Sequence, residues 1–89
     1  MDELREYVVN CRLLDTKEAA HRYFKGLFDF PDYYGGNLDA LYDCLSELPP
    51  CRIVLRYPHM LRGDYGRKLR VVFDDLADER DDIELTERD

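Results

Sequence analysis

The sequence predicts a single α/β domain, residues 1–89, built on a parallel three-stranded sheet packed against three or four helices. Three observations carry that prediction. The chain has 89 residues, room for one small core and no second domain. Its apolar fraction of 45% and aromatic fraction of 12% suit a packed interior and exclude a disordered chain. Finally, short β-prone runs alternate with helical segments. Strands separated by helices need crossover connections, and crossovers make a sheet parallel.

Each element follows from local chemistry. Glu6-Tyr7-Val8-Val9-Asn10-Cys11 is the first strand-forming run. Asp15, three residues before Glu18, predicts a capping box that opens the first helix. Ala20, Tyr23, Phe24, Leu27 and Phe28 recur at helical spacing and form its apolar face. Pro31 closes that segment. Asp32-Tyr33-Tyr34-Gly35-Gly36 is a loop whose glycines permit positive φ or the close approach of another group. Asn37 is a good N-cap for a second helix running to about Leu48, before Pro49-Pro50. Ile53-Val54-Leu55 reads as a strand buried on both faces. A helical turn at Pro58–Leu61 precedes a third long helix capped by Asp64, with core face Leu69, Val72, Phe73 and Leu76. Ile83–Thr86 alternates as the last strand.

Charge and cysteine content narrow the function. The net charge is −7, which disfavours phosphate-backbone recognition and predicts no nucleic-acid partner; a basic protein fits better. The charge is uneven: residues 1–50 hold five basic and ten acidic side chains, residues 51–70 six and one, residues 71–89 two and nine. The basic stretch is expected to pair with the protein's own surplus carboxylates. Cys11, Cys44 and Cys51 suit neither a disulfide framework nor a zinc motif, so all three are expected to be buried thiols in a reducing cytoplasm. Met1-Asp2-Glu3-Leu4-Arg5 lacks a secretory pattern, and no apolar run is long enough to span a membrane.

The second helix holds the candidate site. Leu38, Leu41, Tyr42, Leu45 and Leu48 share its core arc, whereas Asp39 and Asp43 lie together on another face. Like charges four residues apart oppose each other by roughly 0.2–0.5 kcal/mol, partly offset by the helix N-terminus. On these residues alone the face reads either as ordinary solvated helix or as a binding surface beside two tyrosines and a diglycine. No catalytic arrangement competes with it. His21 falls on the first helix near Lys25 and reads as a surface residue, the sole serine, Ser46, is in no nucleophile elbow, and Gly63–Gly66 is no phosphate loop. The expectation is therefore no enzyme, no metal and no cofactor.

The run Phe30-Pro31-Asp32-Tyr33-Tyr34-Gly35-Gly36-Asn37-Leu38-Asp39-Ala40-Leu41-Tyr42-Asp43-Cys44-Leu45 closely resembles the barstar family, intracellular inhibitors of small secreted ribonucleases of the barnase type. The resemblance implies sheet order 1-2-3 and an active-site plug whose carboxylates replace RNA phosphates, held one-to-one against a small basic extracellular endoribonuclease. It implies that Asp43 engages the nuclease's catalytic arginines and histidine. Asp39 pairs with a partner arginine and loop amides, and Tyr33 packs on the catalytic histidine. Gly35, Asn37 and Leu38 contact the partner along the same edge. Tyr42 stands where the family commonly has tryptophan, and the family's later glutamate maps to Asp75, with Asp74 adjacent. The alternative is a barstar-fold interaction module that turns the same acidic face to a different basic protein.

Overall fold

The computed structural model describes residues 4–89; the Met1–Glu3 part of the N-terminal reading lies outside the described residues. Three parallel strands, β1 (Arg5–Asn10), β2 (Cys51–Arg56) and β3 (Ile83–Arg88), pair in the order β1-β2-β3. The helices are α1 (Lys17–Phe28), α2 (Leu38–Ser46) and α3 (Gly63–Glu79), with 3-10 turns at Cys11–Leu13 and Pro58–Met60. Sheet order and element succession are those the sequence predicts. Because the order steps in one direction, right-handed crossovers lay both helical connections on the same face of the sheet.

Register explains what each face does. Tyr7, Ile53 and Leu85 stand in one row and Arg5, Cys51 and Ile83 in another. On this face Tyr7, Val9, Cys51, Ile53, Leu55 and Ile83 join one core with Phe24, Phe28, Leu41, Leu45, Leu69, Phe73 and Leu76 from the helices. The opposite face carries the row Glu6, Arg52, Glu84, in which Arg52 bridges Glu6 at 3.5 Å and Glu84 at 3.0 Å. Ile53, Val54 and Leu55 are all fully buried, as expected. Val54, however, stands outside the helix-packed core, flanked in its row by Val8 and Thr86.

Helix boundaries differ from expectation where capping chemistry decides them. Thr16, and not Asp15, caps α1: its Oγ1 accepts from the Ala19 amide at 3.0 Å while its backbone is extended. Glu18 thus sits in the first turn and closes no capping box with Asp15. The helix ends at Phe28 because Asp29 takes the left-handed conformation, ahead of Pro31. α2 stops at Ser46, short of Leu48. α3 begins at Gly63 with Arg62 in the cap position, so Asp64 is a first-turn residue, favoured there by the helix dipole, and it pairs with Arg67 at 3.1 Å. A Cβ at Gly66 would lie 2.8 Å from the Leu61 backbone, so the turn packs against α3 only because this residue is glycine.

Among the cysteines, Cys11 and Cys51 are buried but Cys44 is only half-buried; all three are free thiols. Burial pushes the Cys11 thiol up to about 11, which keeps it protonated and unreactive. No helix among the described residues is long and apolar enough to cross a membrane.

Candidate functional site

The site is organised by the first turn of α2. Asn37 has extended backbone, and its Oδ1 accepts from the Ala40 amide at 2.8 Å, the cap expected from the sequence. That cap fixes which way the helix turns its faces. Leu41 and Leu45 point into the core; Leu38 and Tyr42 are half-buried at its margin; Asp39 and Asp43 are exposed. α3 packs alongside α2 and brings Val72 and Asp75 to the same place. Leu38, Asp39, Tyr42, Asp43, Val72 and Asp75 line one depression between the two helices. Asp74, next in sequence, turns aside to pair with Arg70 at 3.3 Å. The structure therefore separates the two acids that the sequence left adjacent.

The preceding loop carries Tyr33, a residue 85% exposed although aromatic surface is costly to leave in water. The two glycines behave differently. Gly36 has φ +68°, in the left-handed region, whereas a Cβ on Gly35 would lie 3.4 Å from Asn37 Nδ2 and 3.5 Å from Ala40 Cβ. Gly36 makes the turn, whereas the contacts of a side chain at Gly35 would be ordinary van der Waals ones against the head of α2.

Beneath the loop is a group that the sequence reading placed wrongly. His21 is not a surface residue: it is 5% exposed, and both ring nitrogens are engaged. Nδ1 is hydrogen-bonded to the Tyr34 hydroxyl and Nε2 to the Tyr65 hydroxyl. A neutral imidazole donates from one nitrogen and accepts at the other, and tyrosine hydroxyls serve either role. The imidazole thus ties α1, the loop and the start of α3 into one unit. Burial, with a smaller contribution from Lys17, lowers the His21 pKa and favours the neutral ring. Burial likewise pushes the Tyr34 and Tyr65 hydroxyls up, so both stay protonated. Spacing shows only that His21 and Tyr65 each lie on a core-facing stripe of their own helix, and not that the two meet. His21, Phe24 and Phe28 lie at helical intervals on α1, and Tyr65 precedes Leu69, Val72 and Leu76 on α3.

What marks the site is the grouping of three carboxylates without ion pairs around one apolar depression, since Asp15, Glu18, Asp29, Glu47, Asp78, Glu79 and Asp81 are likewise unpaired among the described residues. Half of the basic stretch pairs internally as expected, Arg52 with Glu6 and Glu84, Arg67 with Asp64, and Arg70 with Asp74 and Glu87, whereas Arg56, Arg62 and Lys68 have no side-chain ion pair among the described residues. Among the described residues, Asp39, Asp43 and Asp75 have no such ion pair, and no group of three or more His, Cys, Asp or Glu is placed to hold a metal ion. The arrangement is a cluster of unneutralised carboxylates around an apolar floor, flanked by an exposed tyrosine. It is suited to a cationic partner.

Comparison with known proteins shows the family. The family model described as Barstar (barnase inhibitor) matches residues 4–88. A Bacillus subtilis (strain 168) protein named "Putative ribonuclease inhibitor YrdF" is 33% identical over 84 residues, covering 89% of this chain and 92% of its own length. With the match running from the first described strand to the last, and the parallel β1-β2-β3 sheet beneath it, the chain belongs to the barstar family.

Proposed function

We propose that the chain is a cytoplasmic inhibitor of a small basic extracellular ribonuclease of the barnase type, bound one-to-one. In this reading α2 and the loop before it plug the nuclease active site. The observation that carries the reading is the unneutralised trio Asp39, Asp43 and Asp75 around Leu38, Tyr42 and Val72, beside exposed Tyr33. A ribonuclease active site is built to hold phosphates, so its cations accept carboxylates spaced along a rigid helix. Asp43 supplies the principal anion to catalytic arginines and histidine, and Asp39 and Asp75 flank it. Tyr33 covers the catalytic histidine, while Gly35, Asn37 and Leu38 provide the close edge. Tyr42 contributes part of the apolar floor.

Charge-assisted bonds between guanidinium and carboxylate are strong when water is excluded, and the apolar floor is what excludes it. Rigidity matters equally. The Asn37 cap and the His21 triad hold the loop and helix before the partner arrives, which reduces the ordering cost of association. The net charge of −7 attracts a basic protein over long range, and salt weakens that attraction. The test is titration of wild type and Asp43→Ala against a barnase-type ribonuclease of the same organism. The substitution leaves buried partner cations uncompensated and is expected to weaken binding by about 3–5 kcal/mol. A loss below about 1 kcal/mol, within the range of exposed pairs, would show that Asp43 is not in the active site.

A further inference from the structure

We propose that the contact surface continues from the acidic depression onto the outer stripe of α3, where Lys68 and Val71 read a carboxylate beside an apolar side chain on the nuclease. This rests on the inhibitor reading above and adds what selects one nuclease over another. Lys68, Val71, Val72 and Asp75 stand at positions i, i+3, i+4 and i+7, so they form one stripe of α3. The depression holding Asp75 and the neighbouring groove of Lys68 and Val71 share Leu38 and Val72, which makes the two one continuous surface.

Two features of the stripe are unaccounted for by folding. Val71 is 53% exposed while its neighbours Val72 and Phe73 are buried, so it contributes little to the core. Lone exposed apolar residues are ordinary. This one, however, extends the apolar strip of Leu38 and Val72 away from the acidic trio. Lys68 is exposed and, like Arg56 and Arg62, has no carboxylate side chain within ion-pair distance among the described residues; of these three it is the one that lines the groove beside Leu38 and Val72. It also borders the hollow of Asn37, Leu38 and Asp39 at the head of α2. The surface therefore runs from negative, through apolar, to positive over two turns of helix, about 10 Å. A uniformly basic cleft would be repelled at the Lys68 end, so the complementary partner presents cations to Asp39, Asp43 and Asp75 and an acidic group beyond them.

Two explanations give opposite signs for one substitution. If only long-range attraction to a basic nuclease matters, Lys68→Glu makes the surface more negative and tightens binding. If Lys68 meets a carboxylate, the same change places like charges together and weakens it. The experiment measures association and dissociation rates of wild type, Lys68→Met, Lys68→Glu, Val71→Asp and Asp43→Ala against the ribonuclease of the same organism, with circular dichroism confirming each fold. The expected result is a Kd raised roughly tenfold or more by Lys68→Glu and by Val71→Asp, with Lys68→Met in between. Unchanged or tighter binding by Lys68→Glu overturns the proposal. Wild type that binds, with Asp43→Ala weakened and both α3 reversals silent, removes this inference and leaves the inhibitor reading intact. Wild type that does not bind removes both.

Discussion

Tyr34→Phe is the most informative single change, because it deletes one oxygen from the support beneath the loop and leaves the ring packing in place. Tyr34 lies against Phe30 at 4.9 Å between ring centroids and against His21 at 5.8 Å, contacts that phenylalanine retains. What is lost is the hydrogen bond to His21 Nδ1. His21 is 5% exposed, so the freed nitrogen has little access to water. A buried polar atom left without a partner costs about 1–3 kcal/mol, against a net value near 1 for an ordinary hydrogen bond. Tyr34 itself is half-buried, which places the expectation at about 1–2 kcal/mol, or roughly 5–10 °C in melting temperature for a domain of this size. Urea and thermal unfolding followed by circular dichroism measure it. The orphaned nitrogen also predicts non-additivity. Adding His21→Leu to Tyr34→Phe and Tyr65→Phe removes every polar partner and recovers much of the loss. A Tyr34→Phe protein within about 0.5 kcal/mol of wild type would refute the argument, since the imidazole would then be satisfied without the tyrosine.

Other outcomes follow from the same structure. His21 has a folded pKa below its ordinary value of about 6.5, so the unfolded chain takes up the proton first; its contribution to stability is present above that value and is lost as pH falls below it. Unfolding midpoints of wild type and His21→Gln should therefore converge as pH falls below about 6.5, and a constant gap would contradict this. Gly26→Ala, in α1 with nothing within 4 Å of the new Cβ, should stabilise by about 0.5–1 kcal/mol in the same unfolding assay. Gly66→Ala should destabilise by about 1–3 kcal/mol despite alanine's helix propensity, because its Cβ meets the Leu61 backbone at 2.8 Å. Arg80→Met removes donors to the Ser46 and Leu48 carbonyls, at 2.7 and 2.9 Å, and should speed amide exchange in the last turn of α2.

Much of the fold was legible because local chemistry and tertiary packing agree. The three consecutive apolar residues Ile53-Val54-Leu55 form the central strand, and Asn37 before Leu38 caps α2, as both patterns predict. Helix ends were less legible, since Asp15 and Thr16 are both competent caps and only the backbone direction chooses Thr16. The resemblance proposed Asp39, Asp43 and Asp75 as contact residues from sequence, and one depression brings the three together. Their contacts with a nuclease remain a proposal to be tested.

What escaped the sequence was long-range. His21 and Tyr65 are 44 residues apart, so no local pattern announces that one hydroxyl meets that imidazole. Histidine beside Arg22 and near Lys25 reads as surface until the faces of α1 are set by Phe24 and Phe28. Asp74 and Asp75 are chemically identical and adjacent. Their difference arises from the 100° rotation between consecutive helical positions, which sends one towards Arg70 and the other towards α2. Arg80 reaches across to the end of α2 from the end of α3, a contact of 32 to 34 residues' separation that composition cannot reveal.

The proposed inhibition requires the acidic face to occupy the place of RNA in the nuclease. Calorimetric titration of the wild-type chain into a barnase-type ribonuclease of the same organism, with and without a saturating oligonucleotide competitor in the active site, tests it directly. An active-site plug binds tightly one-to-one with loss of RNA cleavage, and its apparent affinity falls in proportion to competitor occupancy. Tight binding indifferent to the competitor would place the interface away from the active site. No binding by a demonstrably folded sample would contradict the inhibitor itself.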